Sequence, residues 1–595
     1  MLLKHSTLRN SFALLLCAIT LSGCLDDISP FSQKTDYSIQ GVDDNAEVQE
    51  YLSKILNENL AEDIDFEDGS DDFLRAEKTR EELIVADLKK ALKAKGYYDS
   101  DVEYVDNEGQ PLKGEYIVRQ GALYTIASIK VVPKDEFDNF DFETVKPGEP
   151  LEAQKVLDAQ GELYENVQAD NCYFSLDVTH KVFLNETEKT ASIEFEVSRG
   201  PKATFGPAIF TGHDSVKDSY LRKMVTWQEG GCFRQEKIRA LRTKLLESGL
   251  FVRADSVLPE APDENGQVPV TIELKERVHR SIKAGASYYT DEGAGVTLGW
   301  EHRNFLGAGE KLDAELKLNQ LNQSLDVNFT KPFFLKKNQS LLANAAIRQQ
   351  DTDAFEETAL DIGASVKRQI NKRLALNVGT QFTFSEITDE DDTETYGLLS
   401  FPVSVVFDNR DNQLDPHKGW YLNAGAEPFY DMLGESDPFF KLEAGARTYL
   451  HFLEDPDLVL ALRGNVGSLV GNDTAEIPAT ERFFAGGGGS IRGFGYQQVG
   501  PFEDGDPTGG RSVVTSSSEL RMKFTETLGG VAFVDMGSVS ESTTPDFDNL
   551  SFGAGIGVRY FTGFGPLRFD VAVPLNQKED LDQNYQFYIS IGQAF

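Results

Sequence analysis

The sequence has no uninterrupted apolar run long enough to cross a bilayer as a helix. Its run from Phe12 to Leu21 falls far short of the roughly 20 residues such a span needs. Basic residues are scarce for the length: 58 Lys and Arg stand against 97 Asp and Glu in 595 residues, for a net charge of −39. Nucleic-acid binders neutralise phosphates with cations, so no nucleic-acid partner is expected. The chain has only seven histidines, scattered along its length, and they form no evident catalytic or metal cluster. It contains no GxxxxGK[ST] phosphate loop and no HExxH zinc helix. An enzyme is therefore not expected, nor a cofactor. Four cysteines are too few for a disulfide framework.

The N-terminus carries Lys4, His5 and Arg9 ahead of the apolar run, the order of a secretory signal. The run closes on Leu21-Ser22-Gly23-Cys24, which resembles a bacterial lipobox. On that reading residues 1–23 are a lipoprotein-type signal peptide, Cys24 is the lipid attachment point, and 24–36 form a linker. The other reading is an ordinary cleavable signal with an unmodified Cys24. Two cysteines remain, Cys172 and Cys232. They either pair in an oxidising compartment or are unrelated buried thiols.

From about residue 35 to 276 a pattern recurs every 75–80 residues or so, the mark of internal repeats. Each unit reads as a β-α-α-β-β module. Helix-spaced apolar residues (Leu83, Ile84, Leu88, Leu92; Ile238, Leu241, Leu245) run into Gly96-Tyr97-Tyr98 and Gly249-Leu250-Phe251. The second helical stretch ends near Asn171-Cys172-Tyr173-Phe174. The acidic run Asp63 to Asp72 reads as a solvated loop between the two helices of the first module. The predicted modules cover 37–121, 122–201 and 202–278.

Near residue 280 the period falls to two. KLDAELKL, LALNVGTQFTFS and YQFYISIG each alternate apolar with polar residues, and the alternation persists for some 300 residues without helices. A lipid-facing outside and a polar lumen produce this pattern, and closure removes free edges. Residues 279–595 are therefore expected to form a transmembrane barrel of sixteen antiparallel strands. Their predicted starts are 280, 294, 310, 323, 340, 357, 373, 395, 418, 438, 458, 512, 529, 551, 565 and 583. Strand parity makes 350–357, 386–394 and 537–549 external loops, and 305–311, 369–373 and 561–566 periplasmic turns. It also makes 470–511 the longest external connection. There, Gly486, Gly487, Gly488 and Gly489 run into Ile491-Arg492-Gly493-Phe494, a single charge among bulky apolar residues.

RFFAGGGGSIRGFGYQQVGP (482–501), with SSSELR (516–521), AFVDMG (532–537) and FDNRDNQLDPHKGW (407–420), resembles the Omp85 superfamily of outer-membrane barrels. Three repeats, ALKAKGYY (91–98) and the C-terminal YQFYISIGQAF place the resemblance within the BamA/TamA family, on the TamA side. The lipobox departs from that branch, which has a plain signal peptide. The resemblance implies an outer-membrane protein of a Gram-negative bacterium with three α+β POTRA-like domains in the periplasm. It implies that the long loop folds into the lumen, where Arg492 meets the wall acids Glu519 and Asp535. It implies that Tyr585, Phe587, Ile589, Ile591 and Phe595 form a C-terminal β-signal, and that the last strand meets the first at a weak seam. The implied function is assembly or translocation of β-barrel or autotransporter-type clients. The implied partners are those unfolded clients, a TamB-like inner-membrane-anchored protein and outer-membrane lipid. A dedicated secretion pore of the two-partner type is the alternative. Such pores usually carry two POTRA domains and a plug helix.

Overall fold

The computed structural model describes residues 36–591, apart from 43–44, 61–70, 107–112, 134–139, 170–171, 390–391, 455, 563–564 and 577–583. Cys24, most of the acidic run and Phe595 lie outside the described residues. The chain divides into two compact units.

The N-terminal unit holds two modules. The first runs strand Asp36–Gln40, helices Ala46–Leu60 and Asp71–Ala94, then strands Asp101–Asp106 and Lys113–Arg119. Its first strand pairs in parallel with its last, which pairs antiparallel with the middle one. Ile84, Leu88 and Leu92 repeat every four residues and are buried, whereas Leu83 is 60% exposed. Leu83 sits about 100° round the helix from Ile84, so the apolar stripe is narrower than the sequence suggests. Asp71 and Asp72, expected in a loop, open the second helix.

The second module has strand Thr125–Val132, helix Ala153–Ala169, and strands Leu176–Asn185 and Thr190–Arg199, in the same sheet order. Among the described residues it has one helix, and 134–139, where part of the other would lie, fall outside them. Pro147-Gly148-Glu149-Pro150 forms a turn just before that helix. Cys172 and Cys232 form a disulfide in this unit, with Cα atoms 5.1 Å apart.

The C-terminal unit contains the third module and the barrel. The module has strand Thr204–Thr211, helices Asp218–Met224 and Gln235–Glu247, and strands Phe251–Val257 and Gln267–Glu276. Ile238, Leu241 and Leu245 are its buried helical stripe.

The barrel closes on itself with sixteen antiparallel strands. Their starts fall within about three residues of those the alternation predicts. Strand 8 is in two pieces, Asp392–Ser400 and Val403–Asp408, because Pro402 has no N–H for the ladder. Its register against strands 7 and 9 continues across the break. Outward residues such as Ile347, Ile362, Phe382 and Phe384 are exposed, as a lipid-facing surface requires, while Glu357, Asp361 and Thr383 are buried inside. The loops expected at 350–357, 386–394 and 537–549 are all shorter than the sequence suggests, the last because strand 13 runs over Leu528–Ser540. Strands 6 and 7 include Glu356–Gln369 and Leu374–Asp389, so Glu356, Glu357 and the acidic 386–389 stretch are strand. Polar residues do not end a strand that has left the apolar band, since its ladder continues in water.

Candidate functional site

Residues 471–511 connect strand 11 (Asp457–Val470) to strand 12 (Ser512–Lys523), the sixth external connection. The segment lies inside the barrel. Its Ile477, Ala479, Phe483, Ala485, Ile491, Phe494 and Val499 form an apolar cluster with inward residues such as Phe355, Leu398, Phe429, Phe439 and Val539. The loop thus supplies a hydrophobic core that the strands alone do not have.

The glycines shape its tip. Gly486 and Gly487 take φ of +113° and +87°, the region where a Cβ is strained. Gly493 has φ of +100°, and a Cβ there would lie 2.8 Å from the Val573 carbonyl. Gly489 would meet nothing within 4 Å, so not every glycine of the run is required.

Arg492 is buried, with 2% exposure. Its Nε and Nη2 donate to the two Asp535 oxygens at 2.6 and 2.9 Å, a bidentate pair. Its Nη1 donates to Glu519 at 2.7 Å and to Asp570 at 3.4 Å. Nη2 also donates to Ser517 Oγ at 3.2 Å, and the Arg492 backbone N–H to Asp535 at 3.1 Å. The guanidinium lies 3.5 Å from the Phe533 ring centroid. Asp535 and Glu519 face inward from strand 13 (Leu528–Ser540) and strand 12.

Four members of this cluster escape the sequence reading. Asp570 sits on strand 15 (Gly565–Pro574), between Arg559 of strand 14 (Ser551–Thr562) and Arg568, whose Nε is 2.5 Å away. Arg521 pairs with Glu519 at 2.7 Å. Four guanidiniums therefore meet three carboxylates with little access to water. The available signal is parity: Arg568 and Asp570 fall two apart, on the lumen face.

The tip also touches the seam. Gly493 N–H donates to Tyr588 Oη at 3.1 Å, and Tyr588 of strand 16 (Gln586–Ile591) packs edge-on against Tyr289 of strand 1 (Arg280–Tyr289). Strands 1 and 16 share two register pairs among the described residues, Tyr288↔Ile589 and Tyr289↔Tyr588. Strands 1 and 2 share ten. Thr290 clamps the outer end of the seam: its N–H donates to Phe587 O at 3.2 Å and its Oγ1 accepts from Phe587 N–H at 3.0 Å. Of the C-terminal motif, Tyr585 and Ile589 point outward and are exposed, and Phe587 is half-buried. The inward Gln586 and Tyr588 are buried and make the contacts just described. Beside the clamp, Asp291 and Glu292 occupy the first external turn near Tyr496 of the loop. Burial pushes the Asp291 carboxyl up to about 6 and that of Glu292 up to about 7.

Residues 304–595 match the Omp85 superfamily domain, and 203–277 match the surface antigen variable number repeat, or POTRA. The outer membrane protein assembly factor BamA of Nitratidesulfovibrio vulgaris is 24% identical, over 84% of this chain and 66% of its own length. The BamA of Neisseria meningitidis serogroup B is also 24% identical, over 88% of this chain and 74% of its own. The crystal structure of BamA from Haemophilus ducreyi lacking POTRA domains 1–3 superposes with a TM-score of 0.65 at 19% identity, covering 79% of this chain and all of that one. A sixteen-stranded barrel with a buried lumen loop, joined to a POTRA module, carries these matches: residues 304–595 are an Omp85 superfamily domain, and the protein sits in the outer membrane with its POTRA modules in the periplasm.

Proposed function

We propose that this protein assembles client proteins into the outer membrane by offering them the edge of its first barrel strand. The observation that supports the reading is the two-pair seam. Two further pairings on the same register, Ser287 with Ser590 and Ala286 with Ile591, are not made although all four residues are described. An unpaired edge templates strand addition. In a bilayer, unsatisfied backbone groups cost several kcal/mol each, so an incoming strand that pairs with them is strongly favoured. The clients are unfolded β-barrel or autotransporter-type proteins, and a TamB-like partner anchored in the inner membrane completes the system. In this reading Ile491, Arg492, Gly493 and Phe494 lock the loop, with Glu519 and Asp535 as wall partners.

A pore exporting its substrate through the lumen would have to displace the apolar loop cluster. The test separates the two. Ser287→Cys with Ser590→Cys places thiols where the ladder would continue, so oxidation locks the seam. We expect the locked protein to lose most of its client assembly, read as outer-membrane protein levels after depletion of the wild type, with recovery on reduction. Unchanged levels with a locked seam would exclude the edge mechanism. Export surviving the lock would favour the pore.

A further inference from the structure

The periplasmic end of strands 1 and 2 carries a cationic notch that the assembly reading does not use. In the ladder, Ile282 pairs with Trp300 and Arg280 with His302, all four on the outward face. Ile282 is 83% exposed and Trp300 lies beside it, an apolar and aromatic pair at the edge of the lipid-facing band. Two residues further toward the periplasm, roughly 7 Å along the strand, come Arg280 and His302. That step is the depth at which lipid phosphates lie.

The third POTRA module completes the notch. Lys217 N–H donates to Gly307 O at 2.7 Å, and Asn304 Nδ2 to Ser215 O at 3.1 Å, so this loop is tied to the first periplasmic turn of the barrel. Lys217, His279, Arg280, His302 and Phe305 line an open space of about 530 Å³. The His279 and His302 rings lie 6.4 Å apart, and Phe305 stands edge-on to His302 at 5.9 Å.

Three nearby carboxylates are already engaged. Glu276 accepts from Ser215, Val216 and His279, and Glu310 from Ala308. Glu301 points inward to Arg303, Lys283 and Lys311. Lys217 and Arg280 are exposed and make no ion pair among the described residues. In a chain of net charge −39, two unpaired cations, two histidines and an apolar rim converge at one depth beside the seam.

We propose that this notch holds the phosphate of an anionic glycerophospholipid of the periplasmic leaflet, with Lys217 and Arg280 on the headgroup and Ile282, Trp300 and Phe305 against the glycerol and upper acyl chain. The proposal rests on the membrane location alone and not on the assembly reading. The probe is phosphatidylglycerol added to the detergent-solubilised full chain, with retained lipid counted by native mass spectrometry.

Each cation near a lipid surface contributes slightly more than about fivefold to binding. Lys217→Gln with Arg280→Gln should therefore weaken retention about 30-fold, beyond the loss from Lys372→Gln with Arg373→Gln on another periplasmic turn. Phosphatidylcholine should be retained less than phosphatidylglycerol. Retention by the wild type should fall with added salt, which tests the charge without any variant. Equal retention of the two lipids, or equal loss in the control variant, overturns the site. Displacement of phosphatidylglycerol by millimolar inorganic phosphate overturns the lipid assignment.

Discussion

Replacing Arg492 by alanine removes five side-chain hydrogen bonds in one step. The three carboxylates it meets do not suffer equally. Glu519 keeps Arg521, and Asp570 keeps Arg559 and Arg568. Asp535 loses its bidentate guanidinium and keeps Ser517 Oγ, at 2.5 Å, and a backbone N–H. Leaving a buried charge uncompensated costs about 3–5 kcal/mol. The loop can escape part of this by leaving its seat, so the measured loss is capped by the free energy of local opening. A shift of about 3 kcal/mol raises the opened population roughly a hundredfold. Chymotrypsin reports that population, because Phe483 and Phe494 are buried in the seated loop. We expect cleavage within 471–511 to accelerate by about that factor, and heat-modifiability of the barrel to shift to lower temperature. Adding Asp535→Asn to Arg492→Ala removes the stranded charge and should recover much of the loss. Unchanged cleavage in the single variant, or a double variant no better than the single, would refute the charge-compensation argument.

Gly553→Ala should unseat the loop without touching a charge, because the new Cβ would collide with the Arg492 carbonyl oxygen; Gly464→Ala, whose Cβ has 3.9 Å to the nearest atom, should be silent in the same chymotrypsin assay. The first external turn makes loop seating pH-dependent. The folded values of about 6 for Asp291 and about 7 for Glu292 exceed the free-chain values. The folded state therefore holds more protons between about pH 4 and 7, and stability falls as pH rises through that window. Heat-modifiability should be higher at pH 5 than at pH 8, and Asp291→Asn with Glu292→Gln should flatten the difference.

The barrel is legible in the sequence because lipid on one side and a polar lumen on the other impose a period of two over hundreds of residues. The strand starts follow from it. The ends of strands 6 and 7 do not, because above the apolar band composition no longer distinguishes ladder from loop. Arg492 stands out as one charge between Ile491 and Phe494. Asp570, Arg559 and Arg568 do not, because a charge alternating along a barrel strand looks the same whether it lines water or meets a loop. The seam is also invisible, since Tyr288 and Ile589 pattern like any paired residues and only three dimensions show where the ladder stops.

The partners of the loop tip have a consequence for the order in which the chain folds. Glu519, Asp535, Asp570 and Tyr588 lie 27, 43, 78 and 95 residues from their loop-tip partners, and all come after the loop. Contacts this local in a chain of 595 residues form early relative to closure, which must bring residue 288 to residue 589. The loop tip can act as an internal former on which the last five strands wrap and acquire their curvature. Strand 1 then arrives at a wall already shaped, and needs only two pairs and Thr290 to complete the ring.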